Sequence, residues 1–250
     1  MTTINIKGLG DCTIKSVGGV GTSIYTRCGP TPDHAFVVDL GQLPDDPKGF
    51  SVNNLFITHT HMDHIQQLLT FLSMRERIAG LKDGATIYVP VDSVDKITRM
   101  IDSFYELDDS VSPHTIVGLS PRDSLTSDES ESRQQVLLNN SKLRVTPFQT
   151  DHRVPSMGLR IQKFERQIKP EYISCDPSQK KSLAMTGLLY DYLWIDKMVI
   201  TGDTTIDPFI DPSNRWIYGA QYVLTEITML DDSLPIDEVV KRGPRANEKM

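Results

Sequence analysis

The stretch Thr58-His59-Thr60-His61-Met62-Asp63-His64 restricts what this chain can fold into more than any other. The apolar run Leu55-Phe56-Ile57 leads into it, and Ile65, Leu68, Leu69 and Leu72 follow at helical spacing. The pattern therefore reads as a strand end, a tight loop and a helix start. Residues two apart on an extended segment point the same way, which lets His59 and His61 converge on one ion while Asp63 and His64 leave the loop at another angle. Imidazole with carboxylate suits zinc, with manganese or iron as alternatives, and paired ions are what a phosphate-cleaving site uses to hold attacking and leaving oxygens. The whole chain has six histidines. Three of them crowd here with an Asp behind an apolar strand, which argues against a solvated surface loop.

At 250 residues the chain is long enough to bury a full core as one domain. No run approaches the roughly 18 to 20 consecutive apolar residues of a membrane span. The first residues show neither a signal-peptide core nor an Arg-rich transit pattern, so the cytoplasm is the expected location and the nucleus the alternative. Cys12, Cys28 and Cys175 are odd in number and widely spaced, as reduced thiols are. The net charge of -7 speaks mildly against a nucleic-acid partner. Its distribution speaks less so, because the acids concentrate between 101 and 131, whereas Arg160, Lys163, Arg166, Lys169, Lys180 and Lys181 form a basic stretch.

Along the chain, Ala35 to Gly41 reads as a buried strand ending in Asp39, an acid placed either to bind the following turn or to stand behind metal ligands. The helix after His64 is expected to reach about Ile78, with Gly80 near its end. A strand over 85–89 and a helix over 91–107 follow. Residues 120–135, rich in Ser, Asp and Glu, read as a mobile surface loop. His34 and His114 show no partner and read as structural or surface residues. The strand Leu143 to Phe148 delivers His152, and the apolar run Met198-Val199-Ile200 feeds a glycine turn that exposes Asp203.

The His-x-His-x-Asp-His pattern resembles that of the metallo-β-lactamase superfamily, an α/β fold in which an αββα sandwich carries metal at one edge of two packed sheets. That fold hosts many hydrolytic reactions, so the reaction has to be read from the rest of the chain. The wider set resembles short-form tRNase Z, the transfer RNA 3' processing endonucleases. The matching segments are Gly18-Gly19 with Thr22, Val38-Asp39-Leu40-Gly41, His59 to His64, His152 with Val154-Pro155-Ser156-Met157-Gly158, Pro170-Glu171-Tyr172-Ile173, Gly202-Asp203-Thr204-Thr205, and the run Tyr222 to Asp232. They occur in family order and cover most of residues 16 to 240.

The resemblance implies a domain over residues 1–240 that holds two zinc ions, with manganese as the alternative. His59, His61 and His152 would hold one ion and Asp63 and His64 the other, with Asp203 shared. It implies that Asp63 takes the proton of the attacking water and that Glu226 orients a catalytic His. The substrate implied is precursor transfer RNA, cut at its 3' trailer by a homodimer that grips the RNA with an arm. Residues 163–197 occupy the place of that arm, and Lys163, Arg166, Lys169, Lys180 and Lys181 are its candidate phosphate contacts. The family has further histidine elements toward the C-terminus, and this sequence has no histidine after His152. The second ion is therefore expected to be a ligand short, the sandwich to be incomplete at that end, and 241–250 to be a disordered tail. The competing expectations are a non-cleaving relative that binds RNA or dimerises, and a hydrolase of small phosphodiesters or thioesters.

Overall fold

Strand alternation and helical periodicity sort the chain into four layers. The computed structural model describes residues 1–109, 111–121, 136–138 and 142–226. Strands β1 (Thr2–Ile6), β2 (Gly10–Val17), β3 (Gly21–Arg27) and β4 (Ala35–Val38) form an antiparallel meander. Then β5 (Asn54–Phe56), helices α1 (Met62–Ile65) and α2 (Leu68–Ala79), β6 (Ala85–Pro90), α3 (Val94–Asp108) and β7 (His114–Leu119) add three parallel strands, giving a seven-stranded sheet in sequence order. The second sheet is built from β8 (Val136–Leu138), β9 (Leu143–Gln149), β10 (Met157–Ile168), β11 (Tyr190–Ile200) and β12 (Tyr222–Leu224) in the order β12-β11-β10-β9-β8. Helix α4 (Pro177–Met185) joins β10 to β11, and α5 (Asp207–Ile210) with a 3-10 helix over Pro212–Gly219 joins β11 to β12.

Period-two alternation makes both sheets two-faced. On β4 and β5, Phe36, Val38 and Phe56 turn inward and meet Leu143, Val145, Met157, Leu159, Ile161, Met198 and Ile200 of the second sheet. Ala35, Val37, Leu55 and Ile57 face the other way, against Leu68, Phe71 and Leu72 of α2 and Ile97, Ile101 and Tyr105 of α3. On the far side, Phe148 and Val199 pack under Ile217, Trp216 and Phe209. The result is helix, sheet, sheet, helix, the αββα order expected. Helix α2 ends where expected, on Gly80 in the left-handed conformation (φ 66°). Cys12, Cys28 and Cys175 are free, and burial pushes the Cys12 thiol up to about 11 and that of Cys28 up to about 12.

Register explains how a hairpin leaves the sandwich. Strand β9 stops pairing with β10 at Lys163, whereas β10 and β11 stay paired out to Ile168 and Tyr190. Phe164 to Ile168 and Tyr190 to Trp194 thus continue as a two-stranded ribbon carrying α4 at its end. Its helix is started by Asp176, whose carboxylate accepts from Ser178 and Gln179 backbone N–H groups. Along one ribbon face, Phe164 stacks with Tyr192 and meets Trp194, Arg144 lies 4.5 Å over Trp194, and Arg166 lies 4.8 Å over Tyr190.

His114 lies on β7, with Nδ1 2.9 Å from the Ser112 carbonyl oxygen and its ring against Tyr105. Except for Ser120 and Pro121, the acidic loop expected over 120–135 lies outside the described residues, as does the tail expected over 241–250. No helix among the described residues is long and apolar enough to cross a membrane.

Phe56 is fully buried between the sheets, edge-on to Phe36 and stacked with Tyr88. Replacing it with alanine is expected to cost about 3–5 kcal/mol, read from urea unfolding midpoints.

Candidate metal centre

The strand ends at one edge of the sandwich collect the acids and imidazoles. Strand β4 stops at Val38 because Asp39 turns left-handed (φ 59°), which buries its carboxylate under the Thr58 loop. That carboxylate accepts from the Thr58 backbone N–H, from the Thr58 hydroxyl and from Nδ1 of His64, each at 2.8 Å. The loop before α1 is pressed against its neighbours through two glycines. A side chain on Gly41 would collide with the Asp63 carbonyl and the Thr22 backbone. Gly202, at φ +61°, lets the end of β11 pass Thr58, whose side chain a Cβ there would strike.

Two donor groups result. Ligand atoms of His59, His61, His152 and Asp203 lie within 4.8 Å of one another, and so do those of Asp63, His64 and Glu226. Asp203 faces both: its Oδ2 is 3.9 Å from Nε2 of His59 and its Oδ1 is 3.5 Å from Nε2 of His64. Nε2 of His152 lies 2.9 Å from Nδ1 of His61, and Arg153 donates to the other nitrogen of His61 at 2.9 Å. Beside His152 and Arg153 opens a cleft of about 430 Å³, bordered by Asp92, Ser120, Asp151 and Ser156.

Electrostatics divide the imidazoles. Burial, with repulsion from His64, pushes His59 down to about 2, and burial takes His152 down to about 4. Burial and then Arg153 lower His61. All three are neutral donors at neutral pH, the state metal binding needs. Burial also disfavours a charge on His64, but Asp39 and Asp203 outweigh it and lift that group to about 11. Asp203 is itself pulled up by burial and pulled down further by His64, so it ends below the usual carboxylate range. Glu226 is raised by burial and by Asp203.

The chemistry of these donors suits a metal ion. Nε2 of His59, Nε2 of His64, Nδ1 of His152 and Oδ1 of Asp203 are buried without a hydrogen-bond partner. Buried polar atoms left without a hydrogen bond in both groups are costly, and a cation would satisfy them. The cluster is therefore compatible with metal.

The structure brings together His59, His61, Asp63, His64, His152, Asp203 and Glu226. The five arm cations stand apart from both groups. Lys163 donates to the Gly8 carbonyl, Lys169 lies 3.8 Å from Asp191, and Lys180 donates to the Ile173 carbonyl at 2.7 Å. Arg166 and Lys181 are exposed. Three contributors were not singled out from sequence as parts of the site. They are Thr58, whose hydroxyl joins Asp39, Arg153 on His61, and Thr22, which donates to Glu226 at 2.9 Å.

An αββα sandwich with His and Asp donors gathered at the strand ends of one edge defines the metallo-β-lactamase fold. Within that class, the chain's relatives are the tRNase Z proteins. It is 28% identical over 231 residues to tRNase Z TRZ1 of Arabidopsis thaliana, covering 91% of this chain and 74% of that protein. It is 24% identical over 243 residues to the chloroplastic tRNase Z TRZ2 of the same plant, covering 96% of this chain and 63% of that one. Among solved structures, a long-form RNase Z from yeast matches in fold with a TM-score of 0.53 at 11% identity, over 90% of this chain and 32% of that one. No protein-family model matches the chain. The chain thus spans about three quarters of the length of TRZ1 and less of the other two.

The raised value of His64 has a pH consequence. Its contribution to stability is whole below its ordinary value of 6.5 and is lost as pH climbs through about 11. Loading with zinc near neutral pH should displace that proton. Calorimetry in buffers of unequal ionisation enthalpy is expected to show about two protons released per chain, one from His64 and one from a water ionised by the metal. Release of one or fewer would mean that His64 is already neutral.

Proposed function

We propose that this chain is a metal-dependent endoribonuclease of the tRNase Z kind, acting on the 3' trailer of precursor transfer RNA. One observation carries the reading: two donor groups face each other across a single carboxylate, Asp203, beside an open polar cleft. His59, His61 and His152 would hold one ion and Asp63 and His64 the other, with Asp203 between them. Zinc is the proposed metal at the imidazole-rich group. Bound divalent ions supply an ionised water near neutral pH and offset the charge that builds on phosphorus oxygens.

The chain's own residues do the rest. Asp63, half-buried in its donor group, receives the proton of the attacking water. Asp39 fixes the ring of His64 through Nδ1, which leaves Nε2 directed at the shared carboxylate. Arg153, exposed at the cleft, offers a cation to a substrate phosphate next to His152. The ribbon and α4 are proposed to grip the transfer RNA body through shape and phosphate contacts, with Arg166 and Lys181 as its exposed cations. A domain over residues 1–240 and a homodimer complete the proposal.

The deciding experiment is cleavage of a precursor transfer RNA by the purified chain with zinc or manganese. A single cut after the discriminator base is expected, and Asp63→Ala should slow it by about 100-fold or more. No cut with enzyme in excess of RNA would overturn the reading. Arg166→Ala with Lys181→Ala should weaken RNA binding and flatten its salt dependence by about one unit of slope per lost contact. Turnover of a small phosphodiester should be unchanged in that double variant.

A further inference from the structure

We infer that Glu226 is a direct ligand of the second ion, closing an oxygen-rich site with Asp63, His64 and the shared Asp203. The inference rests on the two-ion reading above and gives Glu226 a role other than orienting an imidazole.

Geometry carries it. The ligand atoms of Asp63, His64 and Glu226 lie within 4.8 Å of one another. From Nε2 of His64 the distances are 3.7 Å to Oε2 of Glu226 and 3.5 Å to Oδ1 of Asp203. Donors about 2.1 Å from a tetrahedral ion stand roughly 3.4 Å apart, so these separations are close to those of a filled site. Both are ion-pair separations, longer than a direct hydrogen bond of about 2.7–3.2 Å and so wide enough for an ion to sit between the partners. His64 adds an independent sign. Its side chain is fully buried, Asp39 holds Nδ1, and Nε2 points at both carboxylates without a hydrogen-bond partner.

Glu226 is also held in place for this task. It follows β12, which pairs with β11 as the Thr201 N–H donates to the Leu224 carbonyl at 3.0 Å and the Thr201 hydroxyl to that of Thr225 at 2.9 Å. From the first sheet, Thr22 donates to Oε2 of Glu226, and Thr22 in turn lies 2.8 Å from the Ser16 hydroxyl. An outer hydroxyl that orients a carboxylate is the usual companion of a metal-binding acid. The two sites then differ in character. One has three imidazoles and a shared carboxylate, the other a single imidazole with three carboxylates. The first suits zinc, and the second a harder ion such as manganese.

The test is metal counting on the stripped full chain. Manganese and zinc are titrated by calorimetry, bound ions are counted by elemental analysis after desalting, and manganese is followed by paramagnetic resonance. Wild type is expected to hold two ions, one of them replaceable by manganese. Glu226→Gln should keep the first at unchanged affinity and bind the second more than about 100-fold more weakly, beyond the 10–100-fold that loss of a merely orienting group costs. Two ions held by Glu226→Gln within two-fold of wild type would overturn the inference while leaving the two-ion reading intact. Fewer than two ions in wild type would overturn both. Should Glu226→Gln lose both ions through misfolding, Glu226→His decides instead. Recovery of a second ion, now preferring zinc over manganese, supports ligation, and a folded variant with one ion overturns it.

Discussion

Everything at the metal edge depends on one buried carboxylate. Asp39 is 1% exposed and accepts three hydrogen bonds, two from Thr58 and one from His64. A carboxyl group in such a place is tolerable when its oxygens are saturated with donors, and Thr58 and His64 supply them. The same three bonds tie the end of β4 to the end of β5 and the start of α1. The left-handed backbone at Asp39 is the local cost, and the surrounding packing over-determines it.

The electrostatic design follows from that anchor. Burial strips charge from His59 and His152, and so prepares them as neutral donors. Burial alone would do the same to His64. Asp39 and Asp203 reverse it, and one imidazole in the cluster stays cationic. Asp203 thereby gains a partner in the absence of metal, and the edge holds together as an ion pair network. A metal ion taking the place of that proton would trade one positive centre for another and keep the Asp39 hydrogen bond to Nδ1.

Much of this was legible because it is local. The step from Leu55-Phe56-Ile57 into His59 and His61 shows in a two-residue period, and α2 with its Gly80 stop shows in a helical one. Asp203 was visible at the end of an apolar run. The partnership of Glu226 with Asp63 and His64 was not, because it depends on β12 pairing in parallel with β11. No periodicity records which strands become neighbours. The surroundings of the arm cations were hidden for a related reason. Clustering in sequence says nothing of the carbonyls that Lys163 and Lys180 reach once folded. The aromatic ladder beneath Arg166 and Arg144 likewise appears only when β10 and β11 come into register.

Among the described residues each sheet is contiguous in the chain: the strands of the seven-stranded one run to Leu119, and those of the five-stranded one from Val136. The donors straddle that division, and the bond from Thr22 to Glu226 closes over 204 residues. During synthesis on the ribosome, the first sheet and its helices have emerged whole while His152, Asp203 and Glu226 are still to be added. The nascent chain at that stage offers only the His59 to His64 loop, a weak and incomplete chelator. Under the two-ion proposal, a full donor set would exist only once the second sheet has docked, so an unfinished chain would not carry the assembled centre.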